Sequence, residues 1–145
     1  MPVALLDVNF LIALAWPNHL HHAAARRWFD TSSSSGWATT PVTELGFVRI
    51  SSNRRVIPNA ATPGSALDIL RELCRLPGHE FWPDDTRLTK PRFAIDRMGS
   101  HRQATDLHLA GLAARRNGRL LTFDRGVQQA LPADARDVVT LLTAG

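Results

Sequence analysis

The chain has 145 residues, 44% of them apolar and 21% charged, which suits a folded chain with a real core and argues against global disorder. No apolar run approaches the roughly 20 residues of a membrane-spanning helix; residues 1–16 carry Asp7 and no basic lead, so they do not read as a secretory signal; and the lone Cys74 excludes an internal disulfide or a cysteine-based zinc cage, making the cytoplasm the expected compartment. The net charge is +4, and the 17 basic residues are all arginine except Lys90, a composition that suits phosphates and stacked bases but equally an acidic protein partner.

Residues 3–6 form an apolar run ending at Asp7, which predicts a buried strand. Residues 9–16 predict a short helix stopped by Pro17, and residues 19–29 a second helix. A polar loop at 32–36 precedes a brief strand at 37–39. Thr40 followed by Pro41 predicts a helix start, a capping hydroxyl and then proline in the first turn, for a helix reaching about Ser51. Residues 53–64 read as loop. Residues 65–76 read as a helix with Leu67, Leu70, Leu73 and Cys74 along one face. Residues 79–82 predict a short strand, and residues 86–99 show no clear period. Residues 105–117 predict a helix closed by Gly118. A strand at 119–123 then ends at Asp124, a short helix spans 127–131, and a last strand spans 138–142. This alternation predicts an α/β fold over residues 1–145 as one domain, a central parallel sheet flanked by helices on both sides.

Four acids stand out by position. Asp7 and Asp124 follow apolar strands, where α/β sheets bind ligands at the carboxyl ends of their strands. Glu44 and Asp106 sit in first turns of helices opening on the same edge. Each also has a structural reading: Asp7 and Asp124 as helix caps, Asp106 as a complement to the helix dipole. Glu44 stands beside Phe47 and Val48, with no basic residue within a helical turn to pair with it. Four converging carboxylates would need a cation. Oxygen ligands favour Mg²⁺ or Mn²⁺ over zinc, and such an ion activates water for phosphodiester hydrolysis.

These residues carry a specific resemblance. LLDVNFLIAL with Asp7 and Asn9, PVTELGFVRI with Glu44, and GSHRQATDLHLAGLAARRNGRLLTFDRGV with Asp106 and Asp124 resemble the four motifs of PIN-domain ribonucleases, in order, over residues 2–142. HEFWPDD is similar to the connecting segment of one VapC subgroup. The resemblance implies a PIN fold and a Mg²⁺- or Mn²⁺-dependent endoribonuclease, the toxin of a VapBC-type toxin–antitoxin pair. It implies Asp7, Glu44, Asp106 and Asp124 as catalytic, metal-binding acids, with Asp7 and Asp106 as direct ligands. Asn9 and Thr105 would support them, and Thr122 would orient Asp124; apart from the resemblance, His101, five residues before Asp106, and Arg125, next to Asp124, are candidate substrate contacts. The implied partners are RNA, a VapB-type antitoxin and a second copy of the chain. His108 departs from the pattern, standing where relatives often carry tyrosine.

Other features have plainer readings. The cluster His19, His21 and His22 lacks a metal-site spacing and reads as a solvated helix start. His101 has a structural reading beside its substrate one. Arg54–Arg55 and Arg115–Arg116 read as solvated faces, the four tryptophans mostly as core or dimer interface, and Cys74 as an inert core residue. An aspartyl phosphatase would need a second aspartate where Asn9 stands, and a receiver domain would need a late lysine. A PIN-like module that binds nucleic acid or protein without chemistry is the remaining alternative, and nothing in the residues separates RNA from DNA.

Overall fold

A computed structural model describes residues 2–93, 99, 101 and 103–143. Five strands, β1 (Ala4–Leu6), β2 (Trp37–Thr39), β3 (His79–Phe81), β4 (Arg119–Thr122) and β5 (Val139–Leu141), form one parallel sheet in the order β3-β2-β1-β4-β5. β1 and β2 are buried throughout, whereas the edge strand β3 exposes two of its three residues. That contrast fits the unbroken apolar run of β1, both of whose faces are covered.

Among the described residues six helices provide the cover: α1 (Val8–Ala15), α2 (His22–Ser32), α3 (Pro41–Ser51), α4 (Pro63–Cys74), α5 (Gln103–Arg115) and α6 (Arg125–Ala130). On one face Leu6 and Trp37 pack with Phe10 of α1, Phe29 of α2, Phe47 of α3 and Leu70 of α4. On the other, Leu5, Ala38 and Leu120 pack with Leu107 and Leu112 of α5 and Val127 of α6. Leu5 and Leu6 point to opposite faces, as strand alternation requires, and each such buried side chain stabilises the fold by about 1.5–3 kcal/mol. The expected α/β architecture with helices on both sides is the one observed.

Several boundaries differ from expectation. The helix expected at 19–29 begins at His22, because His19 to His21 form a turn in which the His22 N–H donates to the His19 carbonyl at 3.0 Å. The histidines are half-buried rather than solvated: His21 stacks on Phe123 at 4.4 Å, and His22 Nδ1 lies 2.7 Å from the Ala13 carbonyl. In α4 the buried positions are Ala66 and Leu70, and Leu67 is exposed. The Thr40 hydroxyl donates to the Trp82 carbonyl at 2.6 Å, so it ties the start of α3 to the end of β3, while the Thr40 N–H donates to Thr43 Oγ1 at 3.0 Å. After α5, Asn117 takes the left-handed conformation at φ 54, where a glycine was expected. Gly118 is needed for space: a Cβ there would meet the Val3 carbonyl and Trp82 at 2.7 Å. Of the stretch 86–99, residues 94–98 lie outside the described residues. No helix among the described residues is long and apolar enough to cross a membrane.

Candidate active site

The chain builds the sheet outward from β1 through β2 to β3, then returns to the other side of β1 with β4 and β5. The connections therefore diverge between β1 and β4, and the carboxyl ends of those two strands border an open crevice. Asp7 follows β1 and Asp124 follows β4. The β1–β4 ladder extends past the strand ends, with the Asp7 N–H donating to the Leu121 carbonyl at 3.2 Å, so the two acids are held side by side by backbone pairing.

Asp7 is 1% exposed. Its Oδ1 accepts from the Phe10 N–H at 2.7 Å, capping α1, and its Oδ2 accepts from the Thr122 hydroxyl at 2.5 Å. Thr122 Oγ1 in turn accepts from the Asp124 N–H at 3.0 Å. One hydroxyl thus fixes the buried carboxylate and the backbone of its neighbour, a wider role than the expected orientation of Asp124 alone. Asp124 Oδ1 accepts from the Gly126 N–H at 2.8 Å, capping α6. The capping readings of both residues are correct, but each leaves the carboxylate at the crevice.

Asp106 arrives from α5. Gln103, at the first residue of that helix, donates through Nε2 to the Gly126 carbonyl at 3.3 Å, linking the starts of α5 and α6. The three aspartates then act on one another electrostatically. Burial, followed by the charge of Asp106 and a smaller push from Asp124, raises the Asp7 carboxyl to about 7 against the pull of Thr122 and Phe10. Burial and then Asp124 raise Asp106 to about 6. Among the described residues, no positive charge figures in the groups acting on either carboxyl.

Beside Asp106 the cleft is bordered by Val8 and Asn9 of α1, Val42, Gly46, Arg49 and Ile50 of α3, and Thr105. Gly46 permits this approach of α1 to α3, since a Cβ there would meet Val8 Cγ2 at 2.6 Å. Asn9 and Thr105 are exposed at the rim, and among the described residues no hydrogen bond joins either to an acid. Arg49 was given no functional role from sequence. Its signal was available in the helical spacing of 42, 46 and 49, which places one arginine on the face that carries the glycine. His101 and Arg125 are exposed, Arg125 opening α6 and His101 lying two residues before α5.

Glu44 faces a different set of groups. Its Oε2 accepts from the Thr39 hydroxyl at 2.7 Å, and Thr39 Oγ1 lies 2.8 Å from His79 Nε2. Cys74 stands beside them, half-buried and packed against the edge of the core, with its thiol raised by burial and then by the Glu44 charge. Burial lowers His79, although Glu44 and Glu80 oppose that shift. Glu44 is not among the charges acting on Asp7 or Asp106. Outside the site, His108 Nε2 meets Asp84 Oδ1 at 2.8 Å, and Arg115 and Arg116 both pair with Asp85.

Residues 4–131 match the family model described as PIN domain. The chain is 53% identical over 137 residues to Ribonuclease VapC39 of Mycobacterium tuberculosis, covering 94% of this chain and 99% of that protein. It is 45% identical over 141 residues to Ribonuclease VapC38 of the same species, covering 97% and 99%. Ribonuclease VapC44 is 37% identical over 126 residues, covering 86% and 87%.

Proposed function

This chain belongs to the PIN domain family, in its VapC branch, and on that premise we propose that it is a divalent-metal-dependent endoribonuclease, the toxin of a VapBC-type toxin–antitoxin pair. The observation that carries the reading is the meeting of Asp7, Asp106 and Asp124 at the divergence of β1 and β4, where burial and then mutual repulsion raise Asp7 to about 7 and Asp106 to about 6. Carboxyls clustered in this way would be neutralised by a cation, and their oxygen-only chemistry fits Mg²⁺ or Mn²⁺ better than zinc. Asp7, Asp106 and Asp124 would hold the ion, which supplies Lewis acidity toward the phosphodiester and a lowered pKa for attacking water.

The residues around that centre have distinct tasks. Thr122 and the Phe10 N–H keep the Asp7 carboxylate in one orientation. Gln103 holds Asp106 toward Asp124 by linking α5 to α6. Arg49, at the cleft beside Asp106, neutralises an RNA phosphate. Asn9 and Thr105 border the same cleft and hydrogen-bond the substrate or the acids from its rim. His101 and Arg125, near the starts of α5 and α6, contact the flanking RNA backbone. Glu44, with its carboxylate oriented by the Thr39 hydroxyl, would add a fourth acid to the set from α3.

RNA as substrate is supported by the ribonuclease names of the relatives. A VapB-type antitoxin would block the crevice, and a second copy of the chain would complete a homodimer. A cleft bordered by Ile12, Trp16, Val56 and Ile57 offers an apolar surface for one of these protein contacts. The test is incubation of the purified protein with total cellular RNA, with Mn²⁺ and with EDTA. Discrete fragments in Mn²⁺ alone are expected. Intact RNA in both, from folded protein, would favour a binding module without chemistry.

A further inference from the structure

The chain that follows β3 is tied to α5 at two levels. His108 Nε2, in the middle of the helix, lies 2.8 and 2.9 Å from the two Asp84 oxygens. At the helix end Asp85 accepts from Arg115 Nε at 3.1 Å and from Arg116 Nη2 at 3.4 Å, and Arg116 Nη2 also donates to the Pro83 carbonyl at 3.3 Å. Beside these ties an open cavity of about 320 Å³ lies between α5 and residues 85–93.

Gly111 forms part of its floor. Glycine is unfavourable inside a helix, and packing does not require it here, since a Cβ at Gly111 would meet no atom within 4 Å. What the glycine provides is depth in the cavity. Leu88, Pro91 and the half-buried ring of Phe93 supply an apolar wall. Arg87, Lys90, Arg92 and Arg115 stand exposed at the rim. Among the described residues Asp85 is the one acid lining the cavity, and Arg115 and Arg116 already pair with it. Arg115 meets it through Nε, which leaves its terminal nitrogens to face another anion.

We propose that this cavity is a nucleotide-binding site apart from the aspartate cleft, taking a base against Phe93 and its phosphate on Arg87, Arg92 and Arg115. An apolar wall under a cationic rim suits neither a bare phosphate nor an apolar molecule. A nucleotide carries both halves, and aromatic rings combined with cations are how single strands are held. Arginine forks match phosphate oxygens, and the volume falls within the range of small-ligand sites. Gly111 stands five residues beyond Asp106, about 7.5 Å along α5 and about 140° around it, so the cavity and the aspartates open on different sides of the helix. The occupant is one unstacked nucleotide of an RNA strand or a free nucleotide, which present the same chemistry. The proposal does not rest on the nuclease reading.

The test uses the full chain carrying Asp7→Asn, so that bound RNA stays intact. A short labelled single-stranded RNA of mixed sequence is followed by fluorescence anisotropy, and AMP and UMP by calorimetry. Gly111→Leu fills the cavity, and circular dichroism establishes that it is folded; Phe93→Ala removes the stacking ring. We expect each to weaken RNA binding about 5- to 100-fold, the share of one stacked base. The double variant Arg87→Ala, Arg92→Ala should lower the slope of log affinity against log salt by about 1.4, two phosphate contacts on a single strand. Loss of RNA affinity with no binding of AMP or UMP assigns the site to a strand, and AMP or UMP binding that Gly111→Leu abolishes assigns it to free nucleotides. RNA and mononucleotide binding unchanged in folded Gly111→Leu and in Phe93→Ala would overturn the proposal, even with an altered salt slope, because the arginines would then attract RNA without a pocket. A glutamate-rich peptide that binds in a Gly111→Leu-sensitive manner, where RNA and mononucleotides do not, would overturn it as well.

Discussion

Thr122 Oγ1 lies 2.5 Å from Asp7 Oδ2 and donates its proton to that buried carboxylate, across 115 residues of sequence. The same oxygen receives the Asp124 N–H at 3.0 Å. Removing it therefore acts on two acids together. Thr122→Val keeps the shape but leaves the Asp7 oxygen and the Asp124 N–H without partners, a cost of about 1–3 kcal/mol in stability. Because this hydrogen bond lowers the Asp7 pKa, its loss raises it further above about 7. The acid limb of the pH–rate profile should move to higher pH, with activity falling about 10- to 100-fold, while Thr122→Ser restores both. A profile unmoved in Thr122→Val would show that the hydroxyl does not act through Asp7.

Without metal, Asp7 makes the fold sensitive to pH in a defined direction. Its folded pKa is about 7 against a reference of 3.8, so between those values the folded chain binds more protons than the unfolded one. Stability from this group is fully present below 3.8 and is lost as pH rises through 7. Metal-free wild type should lose thermal stability from about pH 4 to about pH 7, and Asp7→Asn should flatten that loss. The variant should be about 1–3 kcal/mol more stable than wild type at about pH 8, since Asn accepts from Phe10 and donates to Thr122 without a charge. Urea unfolding at several pH values measures this directly.

Metal should reverse that pattern. An ion bound only by the folded chain stabilises it by about 3 kcal/mol at about 100 times its Kd. Mn²⁺ or Mg²⁺ should raise the melting temperature of wild type most above neutrality, where the carboxylates are ionised, and EDTA should cancel the gain. The double variant Asp7→Asn, Asp106→Asn should show no such rise in a thermal scan.

Which parts were legible in the sequence follows from local chemistry. β1 and β4 could be read because each is a short apolar run ending in an aspartate, and α3 because Thr40 and Pro41 mark its start. The meeting of Asp7, Asp106 and Asp124 follows from alternating strands and helices once the sheet order is known. The direction of Glu44 does not. Its partner Thr39 lies on β2, and Cys74 and His79 come from the end of α4 and the start of β3, beyond an intervening loop. A helical wheel could mark Glu44 as poorly matched to its apolar neighbours, but not say which groups satisfy it. The start of α2 was misplaced for a similar reason: His21 and His22 find partners on Phe123 and Ala13, contacts that no local propensity encodes.

Arg49 should matter for RNA binding more than for stability. It is exposed beside Asp106, so Arg49→Ala should leave unfolding within about 0.5 kcal/mol of wild type. RNA affinity should fall about equally for different sequences, and the slope of log affinity against log salt should drop by about 0.7, the share of one phosphate contact on a single strand. Fluorescence anisotropy in Asp7→Asn, which binds without cutting, isolates the effect. An unchanged slope would remove Arg49 from the RNA path.

The central claim is that three aspartates bind one divalent ion on which RNA cleavage depends. Its most direct measurement is a calorimetric Mn²⁺ titration of wild type, Asp7→Asn and Asp106→Asn, with RNA cleavage followed on the same samples. The account predicts that wild type binds Mn²⁺ and cuts, and that either substitution weakens binding and abolishes cutting in a folded protein. Cleavage retained by a folded Asp7→Asn or Asp106→Asn variant that no longer binds Mn²⁺ would contradict it.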